Sequence, residues 1–236
     1  MKRKIGIVGW KVGENSFGVT IPYLNFFKEY GEIVTIMPWS EIQEFDLIVL
    51  PGGPDINPLT YGAIPDLYLQ KSCPYRESFD RNFLPEYISQ GTPIFGICRG
   101  MQAIAVHFGA QLYQDMYHET NSPEKRMERV HPLEFDREAA SILNLNYGKD
   151  KFKVNSLHHQ VIKEETLSSE IRVIAKHPSC SWGGIEVIAH VDLPIAGVQY
   201  HPEEFGFDEV SDVIIPRLLE KKSIFSIETV KNIISE

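Results

Sequence analysis

Cys98 stands in Gly96-Ile97-Cys98-Arg99-Gly100, between a short apolar run and an amphipathic segment. A thiol with glycine two residues to either side has the form of a nucleophile elbow. The reactive residue sits on a sharp, strained strand-to-helix turn, and bulkier residues at the flanks would strike the neighbouring chain. Such a turn exposes the sulfur at the carboxyl edge of a sheet, where α/β folds put their sites. The helix N-terminus favours a thiolate, and the N–H of Arg99 would face an oxyanion. The same five residues also suit a small buried core cysteine.

A cysteine nucleophile needs a base and a group that orients the base. Tyr200-His201-Pro202-Glu203 follows another apolar run and offers both. In an extended segment His201 and Glu203, two apart, share a face, and Pro202 favours extension before it. The carboxylate would then hold the imidazole in orientation. A strand-end surface histidine followed by a solvated acidic pair fits the same residues. His107, His118, His131, His177 and His190 have no comparable partner pattern and read as structural or solvent-facing. His158 and His159 are adjacent on an expected strand and would face opposite sides, which argues against a shared metal ion. There is no C-x-x-C spacing, so a structural zinc site is not expected; no metal and no cofactor are expected for the chemistry.

The elements that must position these residues read as α/β. Residues 4–10, 33–37, 46–50 and 93–97 are apolar without alternation, the pattern of strands buried on both faces of a parallel sheet. Residues 23–30, 78–89 and 99–108 have near-helical apolar spacing, with Pro85 expected to kink or shorten the second. The polar stretch 117–150 reads as loops with a short β element. Strand-like runs follow at 152–162, 171–176, 182–191 and 195–200, with Gly183-Gly184 as a hairpin turn before or within the third. Helices are expected over 208–222 and in the tail 223–236, the latter capped by Ser226. The order of elements indicates an α/β sheet with right-handed crossovers.

Composition narrows the function classes. The chain has 236 residues, with 23 Lys plus Arg against 32 Asp plus Glu and a net charge of −9. That balance argues against a nucleic-acid-coating surface. Three cysteines, Cys73, Cys98 and Cys180, do not make a disulfide framework and suit a reducing compartment. The basic start is followed by too short an apolar run for a signal peptide, and no stretch approaches the roughly 20 apolar residues of a membrane span. A cytoplasmic protein folded as one domain over residues 1–236 is expected.

Taken together, several stretches resemble the class I glutamine amidotransferase superfamily: Gly96 to Gln102 (G-I-C-R-G-M-Q), Val198 to Glu203 (V-Q-Y-H-P-E) and Pro51-Gly52-Gly53. Pro51 to Pro58 with Tyr61-Gly62, Gly109 to Asp115 and Val154 to Gln160 are similar to its peptidase C26 branch, the γ-glutamyl-γ-aminobutyrate hydrolase-like proteins. The resemblance implies an α/β flavodoxin-like three-layer sandwich with a mostly parallel central sheet plus a small antiparallel β element, a Cys98-His201-Glu203 triad, and an oxyanion hole made by the N–H groups of Gly53 and Arg99. It also implies that Gln102 holds the glutamyl group and that Ser156 and His158 line the site of its α-amino and α-carboxylate groups. Ala105, Ala110 and Glu77 depart from what many relatives carry, which bears on the leaving-group side and not on the acyl chemistry.

Three functions follow as expectations. The first is hydrolysis of a small-molecule γ-glutamyl amide through a γ-glutamyl thioester. The second is a glutaminase subunit that passes ammonia to a separate synthase chain. The third is a non-catalytic binding or regulatory domain on the same fold. A homodimer is left open, and neither nucleic acid nor membrane is an expected partner.

Overall fold

The computed structural model describes residues 2–37, 39–120, 131–145, 152–180, 183–206 and 208–226. Its centre is an eight-stranded sheet. In chain order the strands are β1 (Lys4–Val8), β2 (Glu32–Ile36), β3 (Leu47–Leu50), β4 (Ile94–Ile97), β5 (Glu134–Phe135), β6 (Ile171–Lys176), β7 (Ile185–His190) and β8 (Ile195–Val198). They lie in the order β2-β1-β3-β4-β8-β7-β6-β5. The first five of that order pair in parallel, and the remaining three add antiparallel strands at one side. This is the expected mostly parallel sheet. Small two-stranded antiparallel pairs join 10–13 to 16–18, 112–113 to 161–162, and 131–132 to 153–154.

The lack of alternation in the strands is explained by the cores. Ile5, Ile7, Leu47, Val49, Phe95 and Ile97 turn to one face and pack with Phe27 of α1 (Ile21–Phe27), Ala139 of α6 (Arg137–Ile142) and Ile214 of α7 (Glu209–Leu219). Ile48, Leu50 and Ile94 turn to the other. There they meet Phe79 of α2 (Pro74–Asn82), Tyr87 of α3 (Leu84–Ser89) and Ile104 of α4 (Arg99–His107). Both sheet faces are buried, so every position of β3 and β4 is apolar or glycine. Among the described residues no helix is long and apolar enough to cross a membrane.

Several local expectations need correction. The segment 78–89 is two helices broken at Phe83, with Pro85 in the first turn of the second, where its missing N–H costs nothing. The polar stretch contains the short helices α5 (Met116–Glu119) and α6, each opened by an aspartate side chain accepting from backbone N–H groups. The run 152–162 is not one strand: only 153–154 and 161–162 pair, and residues 155–160 form a loop. The expected hairpin is present: β6 and β7 pair antiparallel, and Gly183 and Gly184, both with positive φ, 92° and 64°, lead directly into β7. The tail helix expected beyond Ser226 lies outside the described residues.

Candidate functional site

Cys98 follows β4 and opens α4 with φ 52° and ψ −108°. A non-glycine residue there is strained, and the glycines show how the strain is accommodated. A β-carbon on Gly96 would lie 2.6 Å from the Gly100 carbonyl carbon and from the Met101 nitrogen. One on Gly100 would lie 1.9 Å from the Leu50 carbonyl oxygen. The helix can therefore start at once against β3 and β4 only with hydrogen at both positions. Arg99 is the first residue of that helix, so its N–H has no carbonyl in the preceding turn to bond.

β8 runs parallel to β4 and beside it, with Val198 opposite Ile97. The two chain segments therefore leave the sheet at the same edge, which brings His201 to Cys98. The backbone at His201 and Pro202 is not extended, as the i, i+2 reasoning required. Residues Pro202–Glu204 form a 3₁₀ turn, and the turn itself brings Glu203 Oε1 to 2.7 Å from His201 Nδ1. Asn155 clamps the histidine backbone reciprocally: its side chain accepts from His201 N–H at 2.8 Å and donates to His201 C=O at 2.9 Å. Burial alone would lower the His201 pKa. Interactions with Cys98 and with Glu203 outweigh it and hold the value well above the usual histidine range. The arrangement places a histidine that favours its protonated form within hydrogen-bonding reach of Cys98.

Tyr23 and Gly52 complete the surroundings of His201. The Tyr23 hydroxyl accepts from Gly52 N–H at 2.8 Å and hydrogen-bonds Glu203. Burial, and then the nearby Glu203 carboxylate, hold its phenol protonated far above the usual range. Gly52 is where the imidazole packs, since a β-carbon there would come to 2.5 Å from His201 Cε1.

Beside Cys98 opens a cavity of about 260 Å³. Gly53, Arg99, Gln102 and His158 line it with Cys98, as do Asp55, Lys71, Leu157 and His159. Gln102 donates its amide to Gln160 C=O at 2.7 Å and to Gln199 Oε1 at 3.1 Å, so it also braces the 155–160 loop. Ser156 is fully buried and stands behind the cavity, its Oγ 3.3 Å from His158 Nε2. His158 and His159 both line the cavity, against the expectation of opposite faces, because the loop has no strand alternation. Among the described residues no group of three or more His, Cys, Asp or Glu is arranged to hold a metal ion.

Sequence reasoning missed Tyr23, Asn155, Lys71 and an Asp55–His159–Asp115 bridge. His159 Nε2 lies 2.8 Å from Asp55 Oδ1 and Nδ1 lies 3.3 Å from Asp115 Oδ2. Burial lowers the His159 pKa, but the two carboxylates, Asp55 first, raise it on balance. All three residues belong to the motif stretches quoted above, which was the available signal. Nothing in their spacing showed that the three would meet.

Fold and site together define a class I glutamine amidotransferase-like protein, and comparison with known proteins agrees. Residues 20–203 match the peptidase C26 family, and the chain belongs to it. It is 32% identical over 191 residues to the glutamine amidotransferase-like protein YvdE of Lactococcus lactis subsp. lactis, covering 77% of this chain and 78% of that one. It is 30% identical over 173 residues to the γ-glutamyl-γ-aminobutyrate hydrolase PuuD of Escherichia coli K12, covering 69% of this chain and 65% of that one. A solved structure from Thermoplasma acidophilum, described as a GMP synthase subunit, superposes with a TM-score of 0.59. Its identity is 20%, over 100% of this chain and 99% of that one.

Proposed function

We propose that the chain, acting as one domain over residues 1–236, hydrolyses a γ-glutamyl amide to glutamate and an amine. The observation that carries the proposal is the strained Cys98 beside a cavity, with His201 held to Glu203 at 2.7 Å. The Cys98 thiolate attacks the γ-carbonyl carbon, and the carbonyl electron pair moves onto oxygen. The N–H groups of Gly53 and Arg99 receive that oxyanion. The C–N bond then breaks as His201 protonates the departing amine, leaving a glutamyl thioester. His201 next takes a proton from water, the resulting hydroxide attacks the thioester, and glutamate leaves as the thiolate re-forms. Glu203 keeps the imidazole oriented throughout. Gln102 and His158 contact the glutamyl group, with Ser156 supporting His158 from behind.

The test is a panel of γ-glutamyl amides assayed for released glutamate, with Cys98→Ala as control. Turnover by the wild type and none by the variant supports the proposal. Normal hydrolysis by Cys98→Ala would sink it. A glutaminase subunit serving a separate synthase chain is the second reading, favoured by the fold likeness to the Thermoplasma GMP synthase subunit. Rapid hydrolysis of γ-glutamyl amines by the isolated chain, with free glutamine a poor substrate, counts against that reading.

A further inference from the structure

Arg76 of α2 is completely buried. Its two terminal nitrogens both go to backbone: Nη2 donates to Pro51 C=O at 2.7 Å and Nη1 to Gly52 C=O at 3.1 Å. The second bond matters for chemistry. The Gly52 carbonyl and the Gly53 N–H belong to one peptide unit, which is planar and trans, so the two groups point in opposite directions. A donor that grips the carbonyl from outside the cavity fixes the N–H toward the inside. Glycine on both sides of that peptide leaves rotation of the unit almost unhindered, so something other than side-chain sterics must set its orientation. Gly52 is held at both ends, since Tyr23 takes its N–H at 2.8 Å and Arg76 its C=O. The other donor to the oxyanion, the Arg99 N–H, is anchored separately. The Arg99 side chain is also buried, and its Nη1 lies 2.7 Å from Asp80 Oδ2.

We propose that Arg76 is a positioning residue that holds the Gly52–Gly53 peptide with its N–H aimed at the oxyanion; the proposal rests on the acyl-transfer reading above. When the Cys98 sulfur bonds to the carbonyl carbon, the displaced π pair becomes a negative oxygen that needs a donor already in place. Loss of Arg76 lets the peptide rotate and removes one of two such donors. A planar guanidinium presents a rigid fork to two successive carbonyls, whereas an ammonium is a point charge on a flexible stem and fixes their direction less.

The experiment compares wild type, Arg76→Met and Arg76→Lys in two reactions at Cys98. One is steady-state hydrolysis of γ-glutamyl-p-nitroanilide. The other is alkylation of Cys98 by iodoacetamide, followed by mass spectrometry; it displaces iodide at a saturated carbon and forms no oxyanion. The expected result is a kcat lower by about 10²–10³-fold in Arg76→Met, with KM little changed, alkylation as in wild type, and Arg76→Lys between the two. Should Arg76→Met fail to fold, Arg76→Lys carries the same comparison. Unchanged kcat, or alkylation falling in step with kcat, overturns the role of Arg76 while leaving the hydrolase reading intact. A wild-type chain that alkylates at Cys98 but leaves every γ-glutamyl amide untouched overturns the reading and the proposal together.

Discussion

Gly52 leaves the space that His201 fills: a β-carbon there would lie 2.5 Å from the imidazole Cε1 and 3.0 Å from the Tyr23 hydroxyl. The position of the His201 imidazole is therefore set partly by an atom that the sequence omits. Gly52→Ala is expected to push the ring off the line to Cys98 while leaving the sheet intact. Misplacement of a reacting group by about 1 Å costs about 10²-fold in rate, and a loss of that size is expected in kcat with unchanged circular dichroism. A fully active Gly52→Ala chain would show that His201 does not need this seat.

Glu203→Gln keeps the shape of the side chain and removes its charge. Burial already works against the His201 imidazolium, and Glu203 is one of the groups opposing it. The substitution is therefore expected to move the His201 titration to lower pH, read from its ring proton by NMR. Hydrolysis should fall by about 10²–10⁴-fold. A titration that stays where it was would rule out Glu203 as the orienting charge.

Gly100→Ala tests the elbow by stability. Its β-carbon would lie 1.9 Å from the Leu50 carbonyl oxygen, a backbone atom inside the sheet that has little room to yield. The loss should exceed the usual overpacking cost of about 1–3 kcal/mol. Gly62, with φ 74° and nothing within 4 Å, is the control, where alanine pays only the left-handed backbone cost of about 1–2 kcal/mol. Urea melts of the two variants check the difference. Equal midpoints would mean that α4 does not start as tightly against β3 as described.

His159 between Asp55 and Asp115 makes a pH-dependent contribution to stability. Its folded pKa is raised, so the folded state binds the proton more tightly than the unfolded chain. The sign follows from linkage: the contribution is complete below the unfolded value of about 6.5 and is lost as pH rises through the raised folded value. His159→Gln removes it. The stability gap between wild type and variant, from thermal melts, should be largest on the acid side of about 6.5 and shrink toward alkaline pH. A gap that widens with pH would contradict an imidazolium between the two carboxylates.

Much of the fold was legible because it depends on local pattern. Non-alternating runs such as Leu47–Leu50 and Ile94–Ile97 can be satisfied only by a sheet covered on both faces. The errors fell where tertiary contacts override local propensity. Residues 155–160 lie inside the run 152–162 expected to be a strand, yet Asn155 bonds the His201 backbone and Gln160 bonds Ile56; these contacts replace strand pairing.

The candidate site divides in the same way. Cys98 between its glycines, and His201 two residues before Glu203, could be picked out from the sequence itself because each is a short motif with its own steric or electrostatic logic. That the two motifs meet was decided by strand order: β4 and β8 lie about a hundred residues apart in sequence but are parallel neighbours in the sheet. The clamps were likewise invisible beforehand. Arg76 on Pro51 and Gly52, Tyr23 on Gly52, and His159 between Asp55 and Asp115 are contacts between distant segments. A linear pattern records what each residue can do, whereas orientation and burial, which set hydrogen bonds and pKa, arise only when the chain has closed around them.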